Sequence, residues 1–453
     1  MSISPRARAT ASALIGLLAL PGIPGIRAQT VTTLDLETAY RQAASSSPAI
    51  ARAQAQLDAD RAGRPLAKSA LLPHVNATAS GGMNTEKVTG FGAQTISTGY
   101  HSDLFTASLS QSIFNGQSLS AVKEADSRVR QSEAALASAQ QAVALAVTQA
   151  YLGVLQAQAN RRVAQQQSDL LETLDRRTRA MLKVGSGDII SVEEVQAQLD
   201  AARADLVTAG NAVETAKAQL QRLTHAPVGT LRDITSLEPI GPQPDALGPW
   251  LEMALKNQPL LQQARAAQDV AEDQAKYARR ARWPTLTLSG SGQHAAGTLV
   301  APVTINQVGA SLNLSIPIYE GGSIRAAARQ AGALSRARSA DLEDAQDQLK
   351  LATETAFRDL ENSVAVFRAA QQAVASAKVS LDATREGHEI GTRSIIDLLT
   401  ANTSYATAQR NYYFALYAQL LDRTQLKAAV GVLTPLDIDA LNALLNSGGG
   451  NTP

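Results

Sequence analysis

Side chains that could carry out chemistry are sparse and scattered in this sequence. It contains no cysteine, which excludes disulfides, thiolate catalysis, cysteine metal sites and a lipid-modified N-terminal cysteine. None of its histidines forms the H-x-x-x-H pair of a helical metal site. The five are His74, His101, His225, His294 and His388. The glycine pairs at 81–82 and 321–322 suit a strand end and a helix cap better than a phosphate loop. We therefore predict no enzyme, no metal site and no cofactor.

One charged pair has a spacing that suits an electrostatic role. Arg393 and Asp397 lie four residues apart, and on a helix such a pair contributes about 0.2–0.5 kcal/mol. The same carboxylate repeated by symmetry around a narrow pore would instead concentrate cations and repel anions. The spacing alone is compatible with both interpretations.

The N-terminus has the features of an export signal. Arg6 and Arg8 precede an apolar stretch, 11–20, that is too short to span a bilayer, and a run of proline and glycine at 21–25 ends it. Ala28 supplies a small residue for cleavage. A retained N-terminal anchor is the alternative, and the short apolar stretch argues against it. We predict that residues 1–28 are a signal peptide.

Composition limits the partners of the mature chain. No later window offers about 18 uninterrupted apolar residues, so we predict no transmembrane helix. The 41 lysines and arginines nearly match the 40 acids, and a nucleic-acid partner is therefore not expected. Aromatic residues make up only 4% of the chain, which favours extended helices over a thick globular core.

The chain contains two copies of one unit. Landmarks of the first copy recur in the same order about 205 to 211 positions later. The matched pairs are Pro48 and Pro259, Pro73 and Pro284, Phe114 and Tyr319, and Gly185 and Gly391. The offset falls by about six between the second and third pairs, which predicts a shorter middle segment in the second copy.

Each copy changes its hydrophobic period twice. Residues 34–72 have a helical period, and two stretches of alternating apolar and small polar residues then predict a hairpin of strands about ten residues long. The hairpins cover about 73–114 and 284–318, with the polar stretch 81–99 as a loop in the first. Very long helices without proline, 117–184 and 320–390, follow the hairpins, and each turns back at a glycine. The first would be about 100 Å long.

The strands predict both a membrane location and an oligomer. A signal peptide, alternating strands and no apolar helix fit an outer-membrane barrel, but closed barrels need about eight strands or more. An open edge in lipid would leave backbone groups without partners. We therefore expect three chains to contribute twelve strands around a wet lumen. Phe114, Trp283 and Tyr319 would lie at the membrane interface, where aromatic belts occur.

The chain closely resembles the TolC family of outer-membrane efflux and type I secretion proteins. The resemblance covers Leu34 to about Leu445, and three segments carry it most specifically: 314–322 (LSIPIYEGG), 391–399 (GTRSIIDLL) and 426–433 (LKAAVGVL). It implies a homotrimer with a twelve-stranded barrel, a long helical barrel in the periplasm, and a collar formed by the mid-chain linker and the C-terminal segment. It also implies docking of a periplasmic adaptor and an inner-membrane pump.

The resemblance also assigns residues. The tip turns that contact the adaptor would be Val184, Gly185, Ser186, Ile390, Gly391 and Thr392. Asp397 matches a carboxylate that rings the periplasmic entrance, and Arg393 matches its basic latch residue. Three positions depart from the best-known pattern: Thr400 replaces a second ring aspartate, His388 replaces a tyrosine, and Ser191 replaces an acidic partner of Arg393. The latch would then use other acids, such as Asp188, Glu193 or Glu194.

We therefore expect an outer-membrane channel that exports small molecules, proteins or both. Its predicted regions are the signal peptide 1–28, a first repeat 29–224, a linker 225–248, a second repeat 249–430 and a C-terminal segment 431–453. The alternative is a soluble periplasmic coiled-coil scaffold or adaptor. An adaptor would carry one helical hairpin with additional domains, and this chain carries two.

Overall fold

The computed structural model describes residues 34–89, 95–234, 238–297 and 304–446. The predicted signal peptide lies outside these ranges. The helices of the first half are α1 (Leu36–Ser46), α2 (Pro48–Ser69), α3 (Gly116–Lys183) and α4 (Ile189–Thr224), with strands β1 (His74–Thr89) and β2 (Thr95–Phe114). The second half contains α5 (Leu247–Asn257), α6 (Pro259–Arg280), β3 (Thr285–Ala296), β4 (Thr304–Ser315), α7 (Ser323–Glu389), α8 (Ile395–Ala429) and α9 (Pro435–Asn446).

The order of these elements confirms the duplication. Two helices, a hairpin and two long helices occur once before the linker and once after it, and α9 follows the second copy. The predicted fold class is also confirmed, since the described chain combines long helices with one four-stranded antiparallel sheet. The second hairpin is the shorter one, with strands of 12 residues against 16 and 20 in the first.

The stretch 34–72, expected to be helical throughout, divides into α1 and α2. Ser47 has an extended backbone with φ −67° and ψ 118°, and Pro48 begins the next helix. A residue before proline avoids the helical region because of a clash with the proline ring. Gln258 and Pro259 repeat this break with φ −63° and ψ 117°. The same local chemistry therefore sets the same bend in both copies.

The sheet has the order β1-β2-β3-β4, and every neighbouring pair is antiparallel. The pairing of β2 with β3 joins the two repeats, with Phe114 opposite Leu286. The expectation of a loop over 81–99 was wrong for most of that stretch, because Gly81 to Thr89 pair with β2 from Asp103 to Thr95. A regular ladder satisfies the backbone of this polar segment whatever its side chains are. β1 and β4 are the free edges of the described sheet.

The long helices form a row that continues the sheet. Near the strands the order is α2, α3, α6 and α7, and toward the tips it is α4, α3, α8 and α7. α3 therefore has neighbours on both sides, and its buried residues are not confined to the predicted heptad. Ala125 and Ser132 of that heptad are buried, whereas Val122 and Val129 are only half-buried.

One described helix, α3, contains an 18-residue stretch that by length and composition alone could cross a membrane. Half of that stretch is buried. Tyr151, Leu152 and Leu155 of α3 belong to the largest hydrophobic cluster, together with Leu416 and Leu420 of α8. The apolar character of α3 is therefore that of a core helix.

This core also holds the mid-chain linker. Leu34 forms a parallel bridge with Leu231, and its amide donates to the Thr230 carbonyl at 2.8 Å. The Tyr417 hydroxyl donates to Asp233 at 2.6 Å. Helices α1 and α9 pack beside the linker, and Ile438 of α9 is part of the same cluster. The linker is thus attached to the middle of α3 and α8 by side chains from both repeats.

The ends of the long helices agree with the sequence except at the start of α7. It begins at Ser323 and not at Glu320, because Gly321 and Gly322 adopt φ of 59° and 84°. This left-handed region is open to glycine and strained for most other residues. The glycine pair therefore prevents α7 from beginning earlier, and the chain between β4 and α7 is irregular.

Candidate functional site at the helical tips

The two tip turns have nearly the same backbone geometry. Gly185 and Gly391 occupy the left-handed region with φ of 75° and 78°. In the first tip, Ser186 N donates to the Met181 carbonyl at 3.0 Å, and in the second Thr392 N donates to the Gly387 carbonyl at 2.8 Å. These are Schellman motifs, which satisfy the last carbonyls of a helix through a glycine turn. Both predicted turns therefore lie at equivalent ends of α3 and α7.

The side chains at the tips present an apolar surface. Val184 is 79% exposed and Ile390 is 77% exposed. Each is the C-cap residue directly before its glycine, with φ of −93° and −91° and ψ of 5° in both. An exposed branched side chain at the same place in both copies gives the two tips a shared contact point.

The return helices begin with different caps. Asp188 caps α4, accepting from Ser191 N at 2.8 Å and from the Ser191 hydroxyl at 2.7 Å. Ser394 caps α8 in a capping box, in which Asp397 N donates to the Ser394 hydroxyl at 3.1 Å and Asp397 Oδ2 accepts from Ser394 N at 3.0 Å. Asp397 is therefore held in place by the helix start and not by an arginine.

Of the two interpretations that the spacing of Arg393 and Asp397 allowed, the intrahelical pair does not form. α8 begins at Ile395 with Ser394 as its cap, so Arg393 lies outside the helix. Within the part of the chain that the structure describes, Arg393 forms no ion pair. Its charge still lowers the pKa of Asp397, but less than the hydrogen bonds from Ser394 do.

Both capping carboxylates are stabilised as anions. The pKa of Asp397 lies below the ordinary aspartate value because the Ser394 amide, and then its hydroxyl, donate to the carboxylate. The pKa of Asp188 is lowered by the Ser191 hydroxyl and amide in the same way. The exposed Asp397 therefore keeps its negative charge throughout the neutral pH range.

The two tips carry glycine at different members of one contacting pair of positions: the second tip has Gly387 and Arg393 where the first has Met181 and Gly187. A Cβ on Gly387 would lie 2.7 Å from Arg393 Cγ, so the arginine stem packs across the bare backbone of the last turn of α7. In the first tip the equivalent of Arg393 is Gly187, where a Cβ would lie 3.1 Å from Met181 Cβ. Each tip thus has room for one side chain at this contact, and only the second tip gives that room to an arginine.

We expect Gly387→Ala to displace the Arg393 side chain. The added methyl group overlaps Arg393 Cγ, and an off-rotamer side chain costs about 1 kcal/mol. Hydrogen exchange at the Thr392 and Arg393 amides, which bond to the Gly387 carbonyl, should become about fivefold faster. Gly210→Ala is the control, because nothing lies within 4 Å of the added Cβ. Unchanged exchange in Gly387→Ala would show that the contact is absent.

Ion pairs that sequence analysis did not identify connect the two helical hairpins. Arg177 of α3 lies 3.5 Å from Glu389 of α7, beside the tips. Farther up, Arg410 of α8 lies 3.9 Å from Asp205 of α4. The sequence offers no signal for these pairs, since their members are about 200 residues apart and none belongs to a motif. They lie between the hairpins and join helices of the two repeats.

The remaining predicted gate residues are near the tip but make local contacts. His388 Nδ1 lies 3.1 Å from the Arg393 carbonyl and so braces its own turn. Thr400 is exposed on α8 and lines an open groove of about 1120 Å³ between α4, α7 and α8. Ile396 and Phe414 lie along the same groove. No group of three or more potential metal ligands occurs in the described ranges.

The predicted interface aromatics meet where strands join helices. Phe114 and Trp283 stack at 6.2 Å with an interplanar angle of 9°, and the Arg280 guanidinium lies 5.0 Å from the Trp283 ring centre. A Cβ on Gly116 would lie 2.7 Å from the Trp283 ring, so glycine admits the indole here. Tyr319 stands apart in the segment before α7 and is 83% exposed.

A row of long helices that continues an open-edged sheet defines a subunit of a membrane duct. The sequence profile of the outer membrane efflux protein family matches residues 39–225 and 250–432, one segment in each repeat. The chain belongs to this family.

Individual relatives agree with this assignment. The outer membrane protein TolC of Vibrio cholerae is 30% identical over 429 residues, which cover 92% of this chain and 95% of that protein. The alkaline protease secretion protein AprF of Pseudomonas aeruginosa is 28% identical over 440 residues, covering 92% and 88%. The Campylobacter jejuni CmeC outer membrane channel superposes with a TM-score of 0.79 at 15% identity, covering 94% of this chain and 98% of that one. That last likeness shows the fold alone.

The family confirms the predicted location and class. The protein is an outer-membrane channel subunit, with the sheet in the membrane and the helices largely in the periplasm. Members of the family are transport conduits and not enzymes, which also removes the soluble scaffold as an interpretation.

Proposed function

We propose that three copies of this chain close into one export duct. The observation that carries the proposal is that sheet and helix row are open on the same two sides. β4 is exposed along its whole length, and the N-terminal half of α7 beside it is largely exposed. On the other side, β1 is the opposite edge of the described sheet and α2 the opposite end of the helix row. Leu57 is the one buried residue of α2.

Closure follows from the cost of these edges in lipid. An unpaired strand edge leaves backbone donors and acceptors without partners in the bilayer. Joining β4 of one chain to β1 of the next, and α7 to α2, covers both edges by a single head-to-tail contact. Three copies give twelve strands, which is enough for a closed barrel. In this assembly the described parts of the linker and of the C-terminal segment, 225–234, 238–248 and 431–446, form a collar around the long helices.

We infer that the tips receive a periplasmic adaptor, which links the duct to an inner-membrane pump. Support comes from the matched apolar residues Val184 and Ile390 at the ends of rigid helical hairpins. The cargo consists of small molecules, secreted proteins or both. The similarity to TolC and to a protease secretion protein supports this range.

We place the gate at the same tips. Asp397, repeated three times, forms an acidic ring at the entrance, and its capping box holds each carboxylate in a defined position. The ion pair between Arg177 and Glu389 is proposed as a latch between the hairpins. Arg393 remains available to a neighbouring chain, because its stem lies over Gly387 and its charge has no carboxylate partner within the described part of this one.

Planar-bilayer recordings test both the duct and the ring. The purified protein should form pores that prefer cations, and Asp397→Asn should remove most of this preference because it neutralises three charges at the constriction. The preference should be constant between pH 5 and pH 8, since the pKa of Asp397 is depressed and the charge is lost only below the ordinary aspartate range.

The control is Asp58→Asn, which makes the same charge change on α2, far from the tips. It should leave the cation preference unchanged. A protein without conductance would contradict the duct. A conducting Asp397→Asn variant with the wild-type preference would contradict the acidic ring alone.

A further inference from the structure

The places where strands join helices are strongly basic. Within the junction segments 64–74, 112–122, 276–286 and 314–330 there are eight lysines and arginines and one carboxylate, Glu320. The whole chain, by contrast, is nearly neutral. The basic residues are Arg64, Lys68, Lys276, Arg279, Arg280, Arg282, Arg325 and Arg329. All four segments lie at the same end of the sheet. Phe114 pairs with Leu286 and Thr285 with Ser315, whereas His74 pairs with Ser110, four residues before the end of β2.

Three of these eight cations have partners inside the chain. Arg64 lies 2.6 Å from Asp126, Lys276 lies 3.0 Å from Asp273, and Arg280 stacks over Trp283. The other five form no ion pair in the described ranges, and all are exposed. We call these five the junction cations: Lys68, Arg279, Arg282, Arg325 and Arg329.

Helix electrostatics explain only some of the junction cations. Lys68 and Arg279 lie in the last turns of α2 and α6, where a cation is favoured by the helix dipole. Arg325 and Arg329 lie in the first two turns of α7, where the dipole disfavours a cation, and that first turn contains no acid. The positive charge at the start of α7 therefore indicates an external anion.

An exposed apolar segment lies directly beside these charges. Ile316, Ile318 and Tyr319 connect β4 to α7, and Ile318 is 94% exposed. Basic residues next to exposed apolar and aromatic side chains are the combination that binds the surface of an anionic bilayer. Arg329 is about 9 Å along α7 from its start, within reach of the headgroup region for a long side chain.

We propose that the junction cations bind the headgroups of anionic phospholipids in the periplasmic leaflet. In the closed ring proposed above, on which this argument rests, the neighbouring chain does not neutralise the junction cations. Closure places α7 beside α2 of the next chain, and that edge adds Lys68 at this level. Lipid phosphates between the two edges would offset the like charges and hold the chain at a fixed depth.

Tryptophan fluorescence can test the proposal directly. The chain has two tryptophans, and Trp283 lies among the junction cations, whereas Trp250 is buried in α5, beyond the 22-residue length of α6. The full-length protein would be placed in bilayers containing brominated phosphatidylglycerol or brominated phosphatidylcholine. We expect quenching to show at least about a fivefold preference for phosphatidylglycerol, and Trp283→Phe should abolish the quenching.

The double variant Arg325→Gln/Arg329→Gln should lose most of this preference. Arg336→Gln/Arg338→Gln makes the same charge change two to three turns farther along α7 and should retain it. Equal quenching by the two lipids, or an unchanged preference in the first variant, would overturn the proposal. So would removal of the preference by inorganic phosphate at constant ionic strength, which would indicate a phosphate site without lipid. Failure of the proposed three-chain closure would be detected separately, as absent conductance in the planar-bilayer recordings.

Discussion

We expect that replacing both Val184 and Ile390 with aspartate abolishes export. Both side chains are largely exposed at the tips, and a contact with the proposed adaptor would bury them. A buried hot-spot residue contributes about 2 kcal/mol or more to binding, and an unpaired buried charge costs more than the loss of the contact. Two such changes in each of three chains should weaken adaptor binding by at least about a hundredfold.

The measurement is a secretion or drug-resistance assay in cells that depend on this duct, together with adaptor binding by the purified protein. The tip folds should persist, because both turns are held by backbone hydrogen bonds around Gly185 and Gly391. Leu436→Asp is the control, as Leu436 is 76% exposed on α9, far from the tips. Normal export by the double tip variant, with a control that also exports, would contradict the docking surface.

The second large effect concerns stability. Tyr151→Phe should lower the free energy of unfolding by about 2–3 kcal/mol, because its hydroxyl is the buried partner of three backbone groups. Its single proton lies within reach of two carbonyl acceptors, Leu34 at 3.1 Å and Arg232 at 3.0 Å, and its oxygen accepts from Arg232 N at 3.1 Å. Removing it leaves these groups without that partner in a closed core, at the point where the linker joins α3.

The same tyrosine gives a pH dependence with a definite sign. Burial raises the pKa of Tyr151 and that of Tyr417 above the ordinary tyrosine value of about 10. A raised pKa contributes stability that is complete below pH 10 and declines as the pH rises above it. The wild-type protein should therefore become less stable above pH 10, and Tyr151→Phe should show a smaller decline.

Thermal unfolding followed by circular dichroism, at pH 8 and at pH 11, measures both effects. Tyr405→Phe is the matched control, since its hydroxyl accepts a single bond from Gln409 at 3.0 Å in a half-buried position. It should change stability by less than about 1 kcal/mol. A Tyr151→Phe protein as stable as the control would show that the hydroxyl does not hold the linker.

Much of the fold could be predicted from the sequence because its determinants are local. Period two marks the hairpins, and the glycines at 185 and 391 mark the tips, where they adopt the left-handed backbone that a Schellman turn requires. The repeat of these signals identified the duplication. Two polar details misled the prediction: the segment 81–99 is mostly strand, and α7 begins only after Gly322.

The candidate site was predictable in position but not in contacts. Val184 and Ile390 are exposed at the tips as expected, because no helix continues past the glycine turns. Asp397 is the N3 residue of a capping box with Ser394, and this role depends on where α8 begins. The contact of Arg393 with Gly387, and of Met181 with Gly187, could not be predicted from the sequence of either tip, since it depends on the three-dimensional fit of each turn.

What the sequence determined by itself is the repeated unit, the change from strand to helix, and the need for partners at the strand edges. These follow from periods of two to seven residues and from backbone hydrogen bonding. Only the tertiary structure decided that α3 is a core helix, that Arg177 meets Glu389, and that Tyr417 reaches Asp233 across 184 positions. Such contacts depend on how distant segments pack together, and a one-dimensional pattern carries no record of that packing.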